Sequence, residues 1–250
     1  MQHNNQSNHK SHAHQNGSHA LATNGNGVEV SNGRMLLSDD DLGDEHLMTS
    51  LETPLRDDAF ALSEEEKIVR IEEHFREIMY TLGLDLTDDS LKGTPHRVAK
   101  MYVQEIFKGL NPVHKPRMAM FDNKYEYKQM LVEKNITVQS TCEHHFLPIM
   151  GFAHIAYISS GKVIGLSKLN RVVEYFSKRP QVQERLTIQI ANELRRVLET
   201  DDVAVYIEAK HLCVIARGVE DRTSSTVTTD YSGQFMNENT RAEFLAAIRG

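Results

Sequence analysis

Between Gly165 and Glu199 two amphipathic helical patterns follow one another with only a few residues between them, and β-type runs flank the pair on both sides. No other feature of the chain limits its fold as strongly. In "SKLNRVVEYFSK" the apolar residues Leu169, Val172, Val173 and Phe176 recur at helical spacing. In "QVQERLTIQIANELRRVLE", immediately after Pro180, the stripe is Val182, Leu186, Ile190 and Leu194. Upstream, "QMLVEKNITVQS" and "GFAHIAYISS" are rich in β-branched and aromatic residues, with a turn at "SSGK" (Ser159 to Lys162). Downstream, "VAVYIEAKHLCVIARG" reads as a strand or strand pair, and "NTRAEFLAAI" as a short last helix. A helix pair set between strand pairs predicts an α+β domain with an antiparallel sheet.

Two further helices precede that core. In "LSEEEKIVRIEEHFREIMYTLGL" Ser63 and Glu66 form a capping box, Ile68, Ile71, Phe75, Met79 and Leu82 form the stripe, and Gly83 is the stop. In "TPHRVAKMYVQEIFKGL" Thr94 is expected to cap and Pro95 to occupy the first turn. Residues 1–60 differ from the rest. "MQHNNQSNHKSHAHQNGSHALATNGNG" and the acidic "SDDDLGDEH" offer little to bury and read as a disordered tail. The five histidines of its first stretch, His3, His9, His12, His14 and His19, suit loose metal binding, though a polar tail needs no such role. The expected division is therefore a tail over 1–60 and a folded domain over 61–250, with helices over 61–115 and the sheet core over 116–250.

With 250 residues, 40% apolar and 25% charged, the chain has the composition of a soluble globular protein. A net charge of -7 argues against a general nucleic-acid surface, since phosphate backbones are bound by clustered Lys and Arg. Two cysteines make no disulfide framework and are expected as free thiols in a reducing compartment. No basic segment followed by an apolar core marks a signal peptide, and no stretch approaches about 18 apolar residues. The expected location is the cytoplasm, with no membrane partner.

Cysteine is scarce, yet Cys142 sits in "STCEHHFLPIMG" with two adjacent histidines. Cys142 and His145 have the C-x-x-H spacing at which a turn aims two ligands at one ion. Strand alternation would put Ala209, His211, Cys213, Ile215 and Arg217 on one face. Alone, a free thiol is usually buried and inert. Taken together, Cys142, His145 and Cys213 are three good ligands, with His144 and His211 left to close the site or to act as acid and base. An open fourth position gives a hydrolytic ion and a filled one a structural ion.

Two segments bear on a substrate. Ser167 is placed to cap the helix of "GLSKLNRVVEYF", with Lys168 and Arg171 opposite its apolar stripe, which suits an anion as well as a solvated basic face. Glu184 lies away from the stripe of its helix but in the first turn, beside Gln183. A carboxylate there can accept paired N–H donors such as those of guanine's Watson–Crick edge.

The segments "GTPHRVAKMYVQEIF", "CEHHFLP", "VIGLSKLNRVVEYFSKRPQVQERLT", "VAVYIEAKHLCVIARGV" and "TSSTVTT" closely resemble GTP cyclohydrolase I, over about Ser63 to Gly250. The resemblance implies zinc held by Cys142, His145 and Cys213, and acid/base roles for His144 and His211. It implies a guanine-binding Glu184 with Gln183 beside it, triphosphate contacts at Lys168, Arg171, Arg217 and Arg97, and Ser167 near the ribose. The implied reaction converts GTP and water to 7,8-dihydroneopterin triphosphate and formate, zinc-activated water attacking C8 of guanine. That step opens pterin biosynthesis, toward folate or tetrahydrobiopterin. The implied fold is the tunnelling fold, ββααββ, preceded by a helical hairpin and assembled as a toroidal homodecamer with active sites at subunit interfaces. Strands left unpaired at a sheet edge suit such closure.

Two rival readings fit less well. A nitrile reductase of the same fold uses a nucleophilic cysteine and a nicotinamide cofactor, and the Cys-Glu-His-His set and the lack of G-x-G-x-x-G disfavour it. A closed structural zinc module has no need of the acid, base and phosphate residues.

Overall fold

One long hairpin carries the sheet. The structure, a computed structural model, describes residues 50–249 and, ahead of them, three short strands: β1 (Ala22–Thr23), β2 (Glu29–Ser31) and β3 (Arg34–Met35). These three pair in the order β1-β2-β3 within a unit of residues 1–47. The rest of the expected tail up to residue 49, with its histidines, lies outside the described residues.

The second unit begins at Met48. Its elements are α1 (Glu64–Thr81), α2 (Thr94–Met101), β4 (Met120–Asp122), β5 (Met130–Cys142), β6 (Pro148–Ile158), β7 (Lys162–Ile164), α3 (Leu166–Ser177), β8 (Pro180–Gln181), α4 (Gln183–Leu198), β9 (Val203–His211), the single turn α5 (Leu212–Ile215), β10 (Thr226–Tyr231) and α6 (Glu238–Arg249). The sheet order is β10-β9-β6-β5-β8, antiparallel except where β8 pairs parallel with the end of β5. β4 and β7 pair separately. This is the α+β arrangement read from the sequence. β10 adds a strand beyond those the sequence pattern predicts, built on the β-branched run Thr226, Val227, Thr228 and Thr229.

Helical periodicity and strand alternation meet in the core. Leu169, Val172, Val173 and Phe176 of α3 and Leu186, Ile190 and Leu194 of α4 are buried with Val138, Ile149, Ile155, Val205 and Ile207 of the sheet. Each such side chain contributes about 1.5–3 kcal/mol on burial. Along β5, Ile136 and Val138 are buried while Thr137 and Gln139 are exposed, the period-two pattern of a strand with one covered face. The other face is covered near α6, where Phe235 and Phe244 pack on Ala156 and Ala204. Elsewhere on it Met150, Phe152 and Val227 stay about half exposed. At Gly151 a Cβ would run into the Glu208 carbonyl of β9, so the close approach of β6 and β9 requires glycine.

Helix ends follow the chemistry with small shifts. The Ser63–Glu66 capping box is present, and Gly83, at φ 83°, lets the amides of Gly83 and Leu84 return to the carbonyls of Tyr80 and Met79. Thr94 does not cap: Gly93 is the N-cap, and the Thr94 hydroxyl accepts from Arg97 instead. Ser167 does not cap either, because β7 runs straight into α3 through extended Gly165, leaving Ser167 second in the helix. Val182 is the N-cap of α4 rather than part of its stripe.

Residues 50–60, assigned to the tail on composition, include side-chain partners of α4. The Ser50 carbonyl accepts from Arg185 Nε at 2.9 Å, and the Leu51 carbonyl from Gln189 Nε2 at 3.0 Å. Polar atoms of the helix, not apolar burial, hold this stretch, and so hydropathy does not reveal it.

Candidate metal centre and active site

Cys142 is the last residue of β5, and the five residues to Pro148 make the hairpin turn. Within it the Cys142 amide donates to the Leu147 carbonyl (2.8 Å) and the Phe146 amide to the Cys142 carbonyl (2.9 Å), with Phe146 at φ 54°. The turn folds His145 back toward Cys142. β9 ends at His211, whose register partner is Ile149 at the start of β6, and the chain then coils into α5. Cys213 is therefore not on a strand, and alternation along 209–217 does not apply. The helical turn, packed against β6, brings the thiol to the other two ligands.

One ligand atom from each of Cys142, His145 and Cys213 lies within 4.8 Å of the others. Cys142 is buried, Cys213 half-buried and His145 exposed, so the cluster opens on one side. Both cysteines are free. Burial and the neighbouring Cys142 sulfur push the Cys213 thiol up to about 11. The two sulfurs are close enough to share one cation, and a bound divalent ion would deprotonate a coordinating thiol outright. The donor set thus fits a thiolate-preferring ion.

Around this cluster the structure gathers several of the expected residues. His144 Nδ1 is 3.7 Å from the Cys142 sulfur, and its Nε2 is 3.8 Å from the Glu143 carboxylate. Arg217, on the loop after α5, places Nη1 2.6 Å from His145 Nε2. His211 Nε2 meets Gln183 Oε1 at 2.8 Å. The Gln183 nitrogen donates to the carbonyls of Ile207 (3.2 Å) and Thr226 (2.9 Å) and to the Thr228 hydroxyl (3.1 Å). Those carbonyl acceptors fix which end of the amide is oxygen, so His211 carries its proton on Nε2 and turns Nδ1 elsewhere. Burial lowers the His211 pKa, against an upward pull from the Glu184 carboxylate. Gln183 is itself 2% exposed and faces into the sheet, behind His211, whereas Glu184 is exposed at the start of α4.

Other expected residues stand apart. Lys168, Arg171 and Ser167 lie in the first half of α3, which starts beyond the far end of β6 and runs back toward Cys142 over about 18 Å. Arg171 lines a separate cavity of about 230 Å³ with Lys108, His114 and Glu174. The Arg97 guanidinium is held by the Ser90 carbonyl and the Thr94 hydroxyl. None of these four makes a hydrogen bond or ion pair with the cluster among the described residues.

Sequence reasoning missed one pair. Arg185 of α4, 2% exposed, makes a two-point ion pair with the Glu143 carboxylate. The available signal was the acid lodged between the ligand-bearing residues of "CEHH".

A family model described as GTP cyclohydrolase I matches residues 71–249. The chain belongs to the GTP cyclohydrolase I family. It is 60% identical over 210 residues to GTP cyclohydrolase 1 of Flavobacterium johnsoniae, covering 84% of this chain and 94% of that one. It is 56% identical over 201 residues to GTP cyclohydrolase 1 of Aeromonas salmonicida, covering 80% and 91% respectively. The relative from Vibrio parahaemolyticus is 56% identical over 200 residues. The matched span runs from before Arg97 to beyond Arg217 and so contains Cys142, His144, His145, His211 and Cys213. No helix among the described residues is long and apolar enough to cross a membrane.

Proposed function

We infer that this chain is a GTP cyclohydrolase I, converting GTP and water to 7,8-dihydroneopterin triphosphate and formate at the head of pterin biosynthesis. The observation that carries the reading is the convergence of Cys142, His145 and Cys213 from positions about 70 residues apart, with two non-ligand histidines beside them. Zinc is the ion proposed for these residues, and when bound it lowers the pKa of water to about 7.

The chain's own groups then divide the work. Glu184, exposed at the start of α4, accepts the N–H donors of guanine. His211, held through Nε2 by Gln183, exchanges a proton with the base at Nδ1. His144, between the Cys142 sulfur and Glu143, is the second acid/base group. Arg217, Lys168, Arg171 and Arg97 bind the triphosphate, and Ser167 lies near the ribose.

Within one chain Lys168 and Arg171 sit far from Cys142, which supports a site completed by neighbouring subunits of a toroidal tunnelling-fold oligomer. The apolar side chains of Val69, Ile78, Tyr80 and Leu82, all more than half exposed on or just after α1, supply surface for such contacts. A homodecamer in the cytoplasm is the proposed state.

The test is direct. Zinc-loaded protein given GTP should release formate and a pterin, fluorescent after oxidation, in equal amounts. Turnover without formate would remove the reading.

A further inference from the structure

We propose that Arg185 is a positioning residue that fixes the metal-ligand turn through Glu143. This rests on the reading of Cys142, His145 and Cys213 as ion ligands. Arg185 is buried at the start of α4, and all three of its donor nitrogens are committed: Nη1 and Nη2 to the two Glu143 oxygens, Nε to the Ser50 carbonyl. Its side chain is 2% exposed, so the guanidinium is shut away from solvent.

Glu143 is held at both ends. Its amide donates to the Gln181 carbonyl of β8 at 3.0 Å, while its carboxylate is gripped from α4. The residues on either side, Cys142 and His144, are therefore attached to a fixed point, and His145 follows one residue later. A turn left free to rotate would spread the Cys142 sulfur and the His145 ring over many separations, and binding an ion would have to order them. The clamp does that ordering in advance. The guanidinium is buried while the Glu143 side chain stays 23% exposed, and the cost of desolvating the arginine offsets much of the attraction, so the use of the pair lies in direction. Groups that orient metal ligands from behind typically change affinity 10- to 100-fold when removed.

The same clamp ties the ion site to substrate recognition. Arg185 is the immediate neighbour of Glu184 and lies two residues from Gln183, so α4 cannot shift without moving Glu143. The Ser50 carbonyl seals the buried guanidinium from the other side.

The experiment titrates the full-length metal-free protein with cobalt(II), reading the thiolate charge-transfer and ligand-field bands and competing with a chromophoric chelator. Glu143→Gln and Arg185→Lys should each weaken cobalt binding by about 10- to 100-fold. The double variant should weaken it no further, because both changes remove one device. Should the single variants fold poorly through an unpaired buried charge, Arg185→Met with Glu143→Leu removes both charges together. That variant should melt close to the wild type yet bind cobalt as weakly as the single variants. Lower melting temperatures with wild-type cobalt affinity, or additive losses in the double variant, would reduce Arg185 to a packing residue and overturn the proposal. Wild-type protein that bound no cobalt would overturn the ion site itself, and the readout needs no GTP turnover.

Discussion

Gln183 Oε1 lies 2.8 Å from His211 Nε2, and the rest of that amide is spent on Ile207, Thr226 and Thr228. The glutamine thus sets the imidazole's tautomer and does not face outward as Glu184 does. Gln183→Leu should lower kcat by about 10- to 100-fold, reflecting a buried donor left without a partner at roughly 1–3 kcal/mol. KM for GTP should change less than threefold. Steady-state kinetics separates the two, since loss of a base contact would raise KM first.

His211 is adjacent to the ligand cluster but is not one of its three members. His211→Ala should retain the ion at wild-type stoichiometry while turnover falls by about 10²- to 10⁴-fold, the usual range for a general acid–base group. Metal analysis beside a formate assay checks both halves.

Arg217 rests on His145, at the open side of the cluster. Arg217→Ala should raise KM for GTP by about 10- to 100-fold, the worth of charge-assisted contacts near 1.5–3 kcal/mol. GTP and guanosine binding, compared by calorimetry, should differ less in the variant than in the wild type.

Glu193 of α4 is 7% exposed and joins Arg196 to Lys115, the latter at 2.9 Å from the loop before β4. Burial pushes its pKa up, but hydrogen bonds from Arg196 and Lys115 outweigh that and hold it below the ordinary carboxylate value. A folded pKa below the unfolded one gives stability that is present above the unfolded value and lost as pH falls through the folded one. Glu193→Gln should therefore cost about 1–3 kcal/mol at pH 7. Urea melts across pH should show the gap closing below about pH 4.

Deleting residues 1–47 should leave formate release and melting temperature nearly unchanged, since the second unit starts at Met48. Deleting through residue 53 removes the carbonyl partners of Arg185 Nε and Gln189 Nε2. Each orphaned donor costs about 1–3 kcal/mol. A thermal melt of the two truncations should separate them by several degrees.

Much of the architecture was legible because its signals are local. The α3 and α4 stripes, the Ser63 capping box and the β5–β6 hairpin each follow from residues within one or two turns of each other. The ligand set was legible in identity, from cysteine scarcity and C-x-x-H spacing, but not in placement. Strand alternation was extended past His211, where the backbone coils instead, and nothing in "LCVI" announces a helical turn. The Glu143–Arg185 pair joins residues about 40 positions apart through a part-buried ion pair, which leaves no periodic trace in the sequence. Lys168 and Arg171 were legible as two cations suited to an anion near a helix start, whereas the triphosphate role given to them and to Arg97 comes from the family resemblance, because a single chain does not bring them to the cluster.

Cys142 and Cys213 stand on either side of the whole helix pair, with about 70 residues between them. An ion gripping both sulfurs acts as a reversible staple across that loop, and a covalent link of this span would restrict the unfolded chain by about 4 kcal/mol. In the folded chain the excursion through α3 and α4 returns to the sheet beside β6, and this brings the two sulfurs together with His145. A bound ion would thus favour the native topology, in which all three ligand atoms lie within 4.8 Å of one another.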